Sequence, residues 1–556
     1  MTRVMPSTND VATVGVEPLE LPPTNRFASV WSRIERWLEA AVERANPILV
    51  KETRQALKSR QFIVTFLIVL LACWIVSFLG VSIIGPKIYY VAAGGVMLNI
   101  YYAILAFPLI LIVPYSAFRS LVSEQELNTY DLLSITTLSS GKIISGKLGS
   151  AIVQMLVYLS AVSPCIAFSF LLRGVDLPTI AFILFWTVLA SMGLTIVALL
   201  VGTSSRSRFF QIFASVGLVL GLAGLFLFAM MISSSILQFS TLPISDKDFW
   251  ISNLAMLTFY VTTFALVHAA AAAVINFPSE NRSTPLRRVM LVQQGCLLGW
   301  LSVPPLLYGV DELRFFVFVG SLVAGVYWYF VGTMLTGEWP HLSRRVQRSL
   351  PQSTLGRVVH SWLNPGPGTG YLFCVANLSV IVLIGLVLIP FSSGPGGLSA
   401  DQVVYFLILG FSYVVFFLGA GRLLISLLRQ HLYVSMPAAF LLQIVLLLLA
   451  SGIPQFIVLM SSSRYSGYSF LLVSNPVVTL FTLIDDGAMA IDAPAVTLAV
   501  GAAAMVVFLL NLRSVAVELS LQRTALPQRV VEEEAELHPP PAALPTSPWD
   551  IPESSS

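Results

Sequence analysis

Residues 62–84 read FIVTFLIVLLACWIVSFLGVSII, 23 consecutive positions without a charged side chain. As an α-helix this run is roughly 35 Å long, at about 1.5 Å per residue, enough to cross a hydrocarbon core of about 30 Å. Further runs of this kind follow along the chain. Of its 556 residues 56% are hydrophobic and 11% charged, where soluble domains carry about 25% charged residues. The chain therefore reads as an all-α, polytopic transmembrane helix bundle. Twelve spans are predicted, near residues 62–84, 97–117, 148–172, 178–202, 212–232, 250–276, 291–310, 314–335, 371–391, 403–421, 433–461 and 494–512.

Charge fixes a predicted orientation. With the N-terminus inside, only Lys87, Arg173, Lys247, Arg314 and Arg464 of the 31 Lys and Arg residues fall in outer loops. An excess of basic residues in inner loops is the topology rule of multi-span proteins, so both termini are placed in the cytoplasm. Residues 1–25 are polar and lack the apolar core of a secretory signal, so the first span is read as an uncleaved anchor. Residues 466–483 are apolar but interrupted by Asn475 and Pro476, which points to an outer re-entrant or interfacial helix rather than a thirteenth span.

The flanks read differently. Residues 1–27 and the tail 513–556, with Glu532 to Glu534 and a proline-rich end, are predicted to be largely disordered. Between them and the first span, residues 28–61 hold two amphipathic segments. Trp31 and Trp37 lie on the apolar face of the first. In the second, Asn46 is a predicted N-cap with Pro47 at the first helical position. That helix carries Lys51, Arg54, Lys58 and Arg60, the composition of a helix lying in the headgroup layer.

The longest informative polar stretch is SEQELNTYDLLSITTLSSGKIISGK, residues 123–147, between the second and third spans. Ser123 followed by Glu126 has capping-box spacing and predicts a helix starting at Glu124. Such a helix would present Glu124, Glu126 and Asp131 across one end of the bundle. Gly141, Gly146 and Lys147 have the spacing of a phosphate-binding loop, but Leu148 stands where a Mg²⁺-binding hydroxyl is needed and no strand precedes. No ATP site is expected there, and Lys142 and Lys147 are assigned to the headgroup boundary.

Chemistry inside the spans is sparse. All acidic residues are placed in loops or tails, and His268 is the one imidazole well inside a span, so a proton relay is disfavoured. Cys73, Cys165, Cys296 and Cys374 occur singly, without the CxxC spacing of a metal or redox site. No protease or hydrolase motif is present. The chain is read as a non-enzyme with no cofactor, no metal and no nucleic-acid partner.

These residues resemble a family. NPILVKETRQALKSRQF, residues 46–62, is similar to the interfacial connecting helix of ABC-2 type exporter permeases. Residues 123–147 resemble that family's coupling segment, E-x-E-x-G-T-x-E-L-L-L-x-T-P-L-S followed by G-K. Glu124, Glu126, Thr129, Leu132, Leu133, Thr137, Leu138, Ser139, Gly146 and Lys147 match it. Asn128 stands in place of Gly and Asp131 in place of Glu, and Thr137 sits at or beside the usual Pro. Asn475 and Pro476 resemble the family's outer hemihelix. The specific likeness covers residues 46–150.

The resemblance implies a bacterial inner-membrane permease that a separate ABC ATPase drives. Docking would be through Glu124, Glu126, Thr129, Asp131, Leu132 and Leu133. The family unit has about six spans, so the chain divides into a half at 62–276 with coupling loop 118–147 and a half at 277–512 with inner loop 336–370. Asn364 and Pro365 faintly echo Asn46 and Pro47. A homodimer, or a heterodimer with another permease, is expected to supply a second docking site. An ion-coupled secondary carrier and a non-transporting, ATPase-linked scaffold are the competing readings.

Overall fold

The computed structural model describes residues 46–85, 90, 92–127, 139–204, 208–238, 242–277, 279–307, 309, 313–340, 342–348, 353, 362–392, 398–461, 468–521 and 528–537. Among them it contains helices and no strand. A short helix, α1 (Pro47–Leu57), precedes α2 (Arg60–Ile84). The second span is built from α3 (Gly94–Phe107), a π-turn over Pro108–Ile112, and α4 (Val113–Glu126). Then come α5 (Ser140–Leu171), α6 (Leu177–Ser204), α7 (Arg208–Gln238), α8 (Lys247–Ile275), α9 (Ser283–Leu307) and α10 (Leu313–Thr336). The remainder comprises α11 (Arg344–Arg348), α12 (Pro367–Leu388), α13 (Ala400–Leu428), α14 (Met436–Ser461), α15 (Pro476–Asp485), α16 (Ala493–Leu521) and α17 (Gln528–Leu537).

Twelve of these are long and apolar enough to cross a membrane, and they coincide in order with the twelve predicted runs. The residues explain where they begin. Asn46 accepts the Ile48 amide with Pro47 at the first helical position; Ser59 accepts the Phe62 amide to start α2. Ser399 and Gln402 form a reciprocal capping box for α13. In the second span Pro108 lacks an amide hydrogen, and the turn that contains it widens to π geometry. Asn475 caps α15 by accepting the Val477 and Val478 amides and donates to Ser451 O on α14, so 476–485 is a short separate helix, as its Asn-Pro break predicts.

The twelve spans pack in two groups of six that share most neighbour pairs; α2 also packs on α5, where α9 and α12 are joined by the hydrogen bond from Gln294 to the Asn377 carbonyl. In the first group α2 meets the α3–α4 span, which meets α5, α6 and α7; α5 meets α6 and α8, and α6 meets α7 and α8. In the second, α9 meets α10, which meets α12, α13 and α14; α12 meets α13 and α16, and α13 meets α14 and α16. The groups join where α8 packs on α9. Each has its own core: Tyr101, Leu105, Met155 and Tyr158 in the first, Trp328, Phe373, Leu409 and Leu418 in the second. The equivalent helices α2, α7, α9 and α14 are the least buried spans in their groups.

Two flank readings change. The last span continues past residue 512 to Leu521, and Gln528–Leu537 is helical with an Arg529–Glu533 pair at 3.1 Å. The tail therefore begins as helix, because 513–521 still carries apolar positions such as Val515, which is buried. Residues 1–45, with Trp31 and Trp37, and residues 538–556 lie outside the described residues.

Candidate functional site

The site is built where α1 crosses the start of α5 beside the end of α4. Gly146 and Gly149 of α5 allow the crossing: a Cβ on Gly146 would lie 2.9 Å from Ile48 Cβ, and one on Gly149 2.7 Å from Leu49 Cδ1. Small residues at helix crossings let backbones approach closely. Of the two glycines that imitate a phosphate-binding loop, Gly146 thus serves packing, while a Cβ on Gly141 would have no neighbour within 4 Å. Asn46 Nδ2 also donates to the Lys142 carbonyl, tying the start of α1 to α5.

Lys147 is the centre of this contact. Its side chain is 2% exposed, turned into the bundle rather than to its surface, and Nζ lies 3.1 Å from Glu52 Oε1 on α1 and 3.1 Å from Glu124 Oε1 on α4. Nζ also donates to Ser120 Oγ at 2.7 Å, and Ser120 Oγ donates to Glu52 Oε2 at 3.1 Å. The cause is geometric. Lys147 sits two turns inside α5, on the face that α1 and α4 cover, so its charge is removed from water and needs carboxylate partners.

The capping-box reading of Ser123 is overturned. Ser123 lies inside α4, its hydroxyl donating to the Ser120 carbonyl one turn back, and the helix ends at Glu126 instead of starting at Glu124. The apolar run of the second span keeps the helix going, and Leu121 and Val122 are buried against the bundle. Glu124 faces Lys147, while Glu126 and Leu127 are exposed at the helix end. Gln125 donates from Nε2 to the Gly202 carbonyl, fixing the end of α4 on α6. Thr129, Asp131, Leu132 and Leu133 lie outside the described residues.

Lys51, Arg54, Lys58 and Arg60 are all exposed, a basic rim on the outer face of α1 and the start of α2. The inner face of α1 buries Ile48 and Glu52. Glu52 and Ser120 escaped the sequence reading. The signal for Glu52 is its spacing four residues after Ile48, which puts it on the covered face.

The second group holds matching charges at the same end of the bundle. Arg287, near the start of α9, is fully buried; its Nη2 lies 2.9 Å from Glu338 Oε2, and its Nη1 donates to Trp362 O and Thr369 Oγ1. Arg422 of α13 pairs with Glu518 of α16 at 3.2 Å. These residues correct two expectations: Glu124 and Glu518 lie within helices rather than in loops or tails, and Arg422 is buried in a span rather than exposed in a loop. All these charges lie within about 15 Å of a helix end, at about 1.5 Å per residue. Glu338 follows α10 as Glu124 closes α4, before the loop to the next span in each group.

Elsewhere the spans carry little chemistry. His268 Nε2 lies 3.0 Å from Ser145 Oγ, a packing hydrogen bond between α8 and α5. Cys73 and Cys165, distant in sequence, come near one another between α2 and α5, both as free thiols. Among the described residues no group of three or more His, Cys, Asp or Glu side chains could hold a metal ion. No family model, curated protein or solved structure matches this chain.

Proposed function

We propose that this chain is the membrane-spanning permease of an ABC-2 type exporter, driven by a separate ATPase that docks at the loop following α4. The supporting observation is the buried Glu52–Lys147–Glu124 cluster. It joins the helix before the first span to both flanks of the loop. A push on the loop would therefore reach α1, α4 and α5 as one body rather than bend a single connection. Exposed Glu126 and Leu127 stand at the mouth of that body, available to a partner.

The position of the charges supports an external energy source. The buried ionic groups described above are paired and lie near helix ends, whereas carriers that bind protons use ionisable groups at membrane depth. The repeated neighbour order supports a chain that supplies two six-span units itself, with the loop after α10 as counterpart of the loop after α4. On this reading one chain recruits two ATPase subunits, and a homodimer is not required to provide the second docking site. The membrane is the bacterial inner membrane, with α1 on its cytoplasmic side.

The test is co-expression with the genomic neighbours, purification and mass spectrometry. A stoichiometric ATPase is expected, lost in the Glu126→Lys, Asp131→Lys double variant while membrane insertion stays normal. Retention of the ATPase by that variant would refute the docking site. Absence of any ATPase from a folded preparation would refute the exporter reading.

A further inference from the structure

Between the end of α13, the end of α16 and the segment after α10 lies a cleft of about 450 Å³. Trp339, Arg422, Arg429, Gln430, Ser514 and Glu518 are among its walls. It is separate from the Lys147 cluster and does not depend on the exporter reading.

Its charge is unbalanced. Arg422, with a side chain 6% exposed, spends its Nη groups on Asn511 Oδ1 at 2.8 Å, Ser514 Oγ at 3.3 Å and Glu518 Oε2 at 3.2 Å. Its buried Nε donates to nothing. Glu518 Oε2 also accepts the Gly368 amide. Arg429 donates from its Nη groups to the carbonyls of Gly337 and Glu338, and among the described residues no carboxylate pairs with it. Its Nε too is buried without an acceptor. Burial holds the Arg429 guanidinium below its ordinary pKa, a penalty an anion beside it would relieve. Two guanidinium groups and one carboxylate leave one positive charge, with two uncommitted N–H donors against one uncommitted acceptor, Glu518 Oε1.

The surroundings point to a lipid. The cleft opens at the helix ends, where headgroups lie beside a spanning bundle. Trp339 stacks beneath Arg429, its ring centre 4.7 Å from the guanidinium carbon, and beside Tyr433 at 5.3 Å. Trp339 and Tyr433 are exposed, as are Leu427 and Leu432 nearby. Trp and Tyr favour the membrane interface, where one end is apolar and the other wet. Basic pockets between spans at this level suit anionic headgroups.

We infer that this cleft binds the phosphodiester of an anionic phospholipid, with Arg429 and Arg422 facing the phosphoryl oxygens and Trp339 against the glycerol and upper acyl chain. A phosphodiester carries one negative charge and matches the single positive charge left over. The chemistry is shared with small soluble phosphate esters, and the test separates the sources.

The full chain would be purified, delipidated in a neutral detergent and followed by thermal unfolding and native mass spectrometry. The probes are phosphatidylglycerol, phosphatidylcholine and glycerol 3-phosphate. Phosphatidylglycerol is expected to stay bound in the gas phase and raise the Tm by several degrees, the other two having little effect. Gln430→Glu places a carboxylate at the exposed mouth without touching a buried pair, and should weaken phosphatidylglycerol binding about tenfold at unchanged basal Tm. Arg429→Gln should do the same if the fold holds. Equal shifts with the two lipids, or an undiminished phosphatidylglycerol shift in Gln430→Glu, would overturn the site. An equal shift with glycerol 3-phosphate would overturn the lipid source.

Discussion

Lys147 Nζ on α5 lies 3.1 Å from Glu52 Oε1 on α1, a buried contact between residues 95 positions apart. Removing one partner of such a cluster leaves uncompensated charge out of water, which costs about 3–5 kcal/mol, whereas replacing all partners by neutral groups is close to neutral. Lys147→Met alone is therefore expected to lower the thermal midpoint strongly. The triple variant Glu52→Gln, Glu124→Gln, Lys147→Met should recover most of it. Thermal unfolding of the four purified proteins, the wild type and Glu52→Gln included, checks the order.

Gly146 should tolerate little. A Cβ there meets the Ile48 side chain at 2.9 Å, and the neighbour is a β-branched residue close to the α1 backbone. Gly146→Leu is expected to push α1 off α5 and cost about 1–3 kcal/mol. Protease or thiol accessibility along 46–57 would rise, while the twelve spans still insert.

Arg287 is held by a carboxylate, two carbonyls and a hydroxyl arranged around a planar fork. Lysine offers a point charge and cannot reach them all. Arg287→Lys is expected to cost about 1–3 kcal/mol in lost hydrogen bonds, and Arg287→Met about 3–5 kcal/mol because Glu338 is left unpaired. A Tm for Arg287→Lys equal to wild type would show that charge alone matters there.

The π-turn at Pro108 depends on its neighbour. Ser191 of α6 donates to the Leu109 carbonyl, deep in the first group. Ser191→Ala leaves that fully buried acceptor with one partner fewer, a loss of about 1–3 kcal/mol. Ser191→Cys, which keeps a weak donor, should fall between alanine and wild type in thermal unfolding.

Much of the fold was legible in the sequence for a local reason. Each span announces itself by an uninterrupted apolar run, and an isolated helix satisfies its own backbone hydrogen bonds in a membrane, so no tertiary knowledge is needed. Asn46 with Pro47 and Asn475 with Pro476 are equally local, because a cap acts within three residues. Ser123 misled because its capping spacing is also compatible with the last turn of a helix, and the burial of Leu121 and Val122 decides between the two. The repeated neighbour order left only a faint trace at Asn364 and Pro365, since unlike side chains can fill equivalent interfaces.

The sequence by itself determined twelve membrane-length helices, their order, and the placement of a charged loop after the second. Only the tertiary structure decided that Lys147 meets Glu52 and Glu124, that Arg287 and Arg422 are buried, and that two groups of six spans pack alike. A span depends on how each residue partitions between water and lipid, which neighbours along the chain reveal. The partner of a buried charge depends on which helices cross, and that is set by packing between residues far apart in sequence.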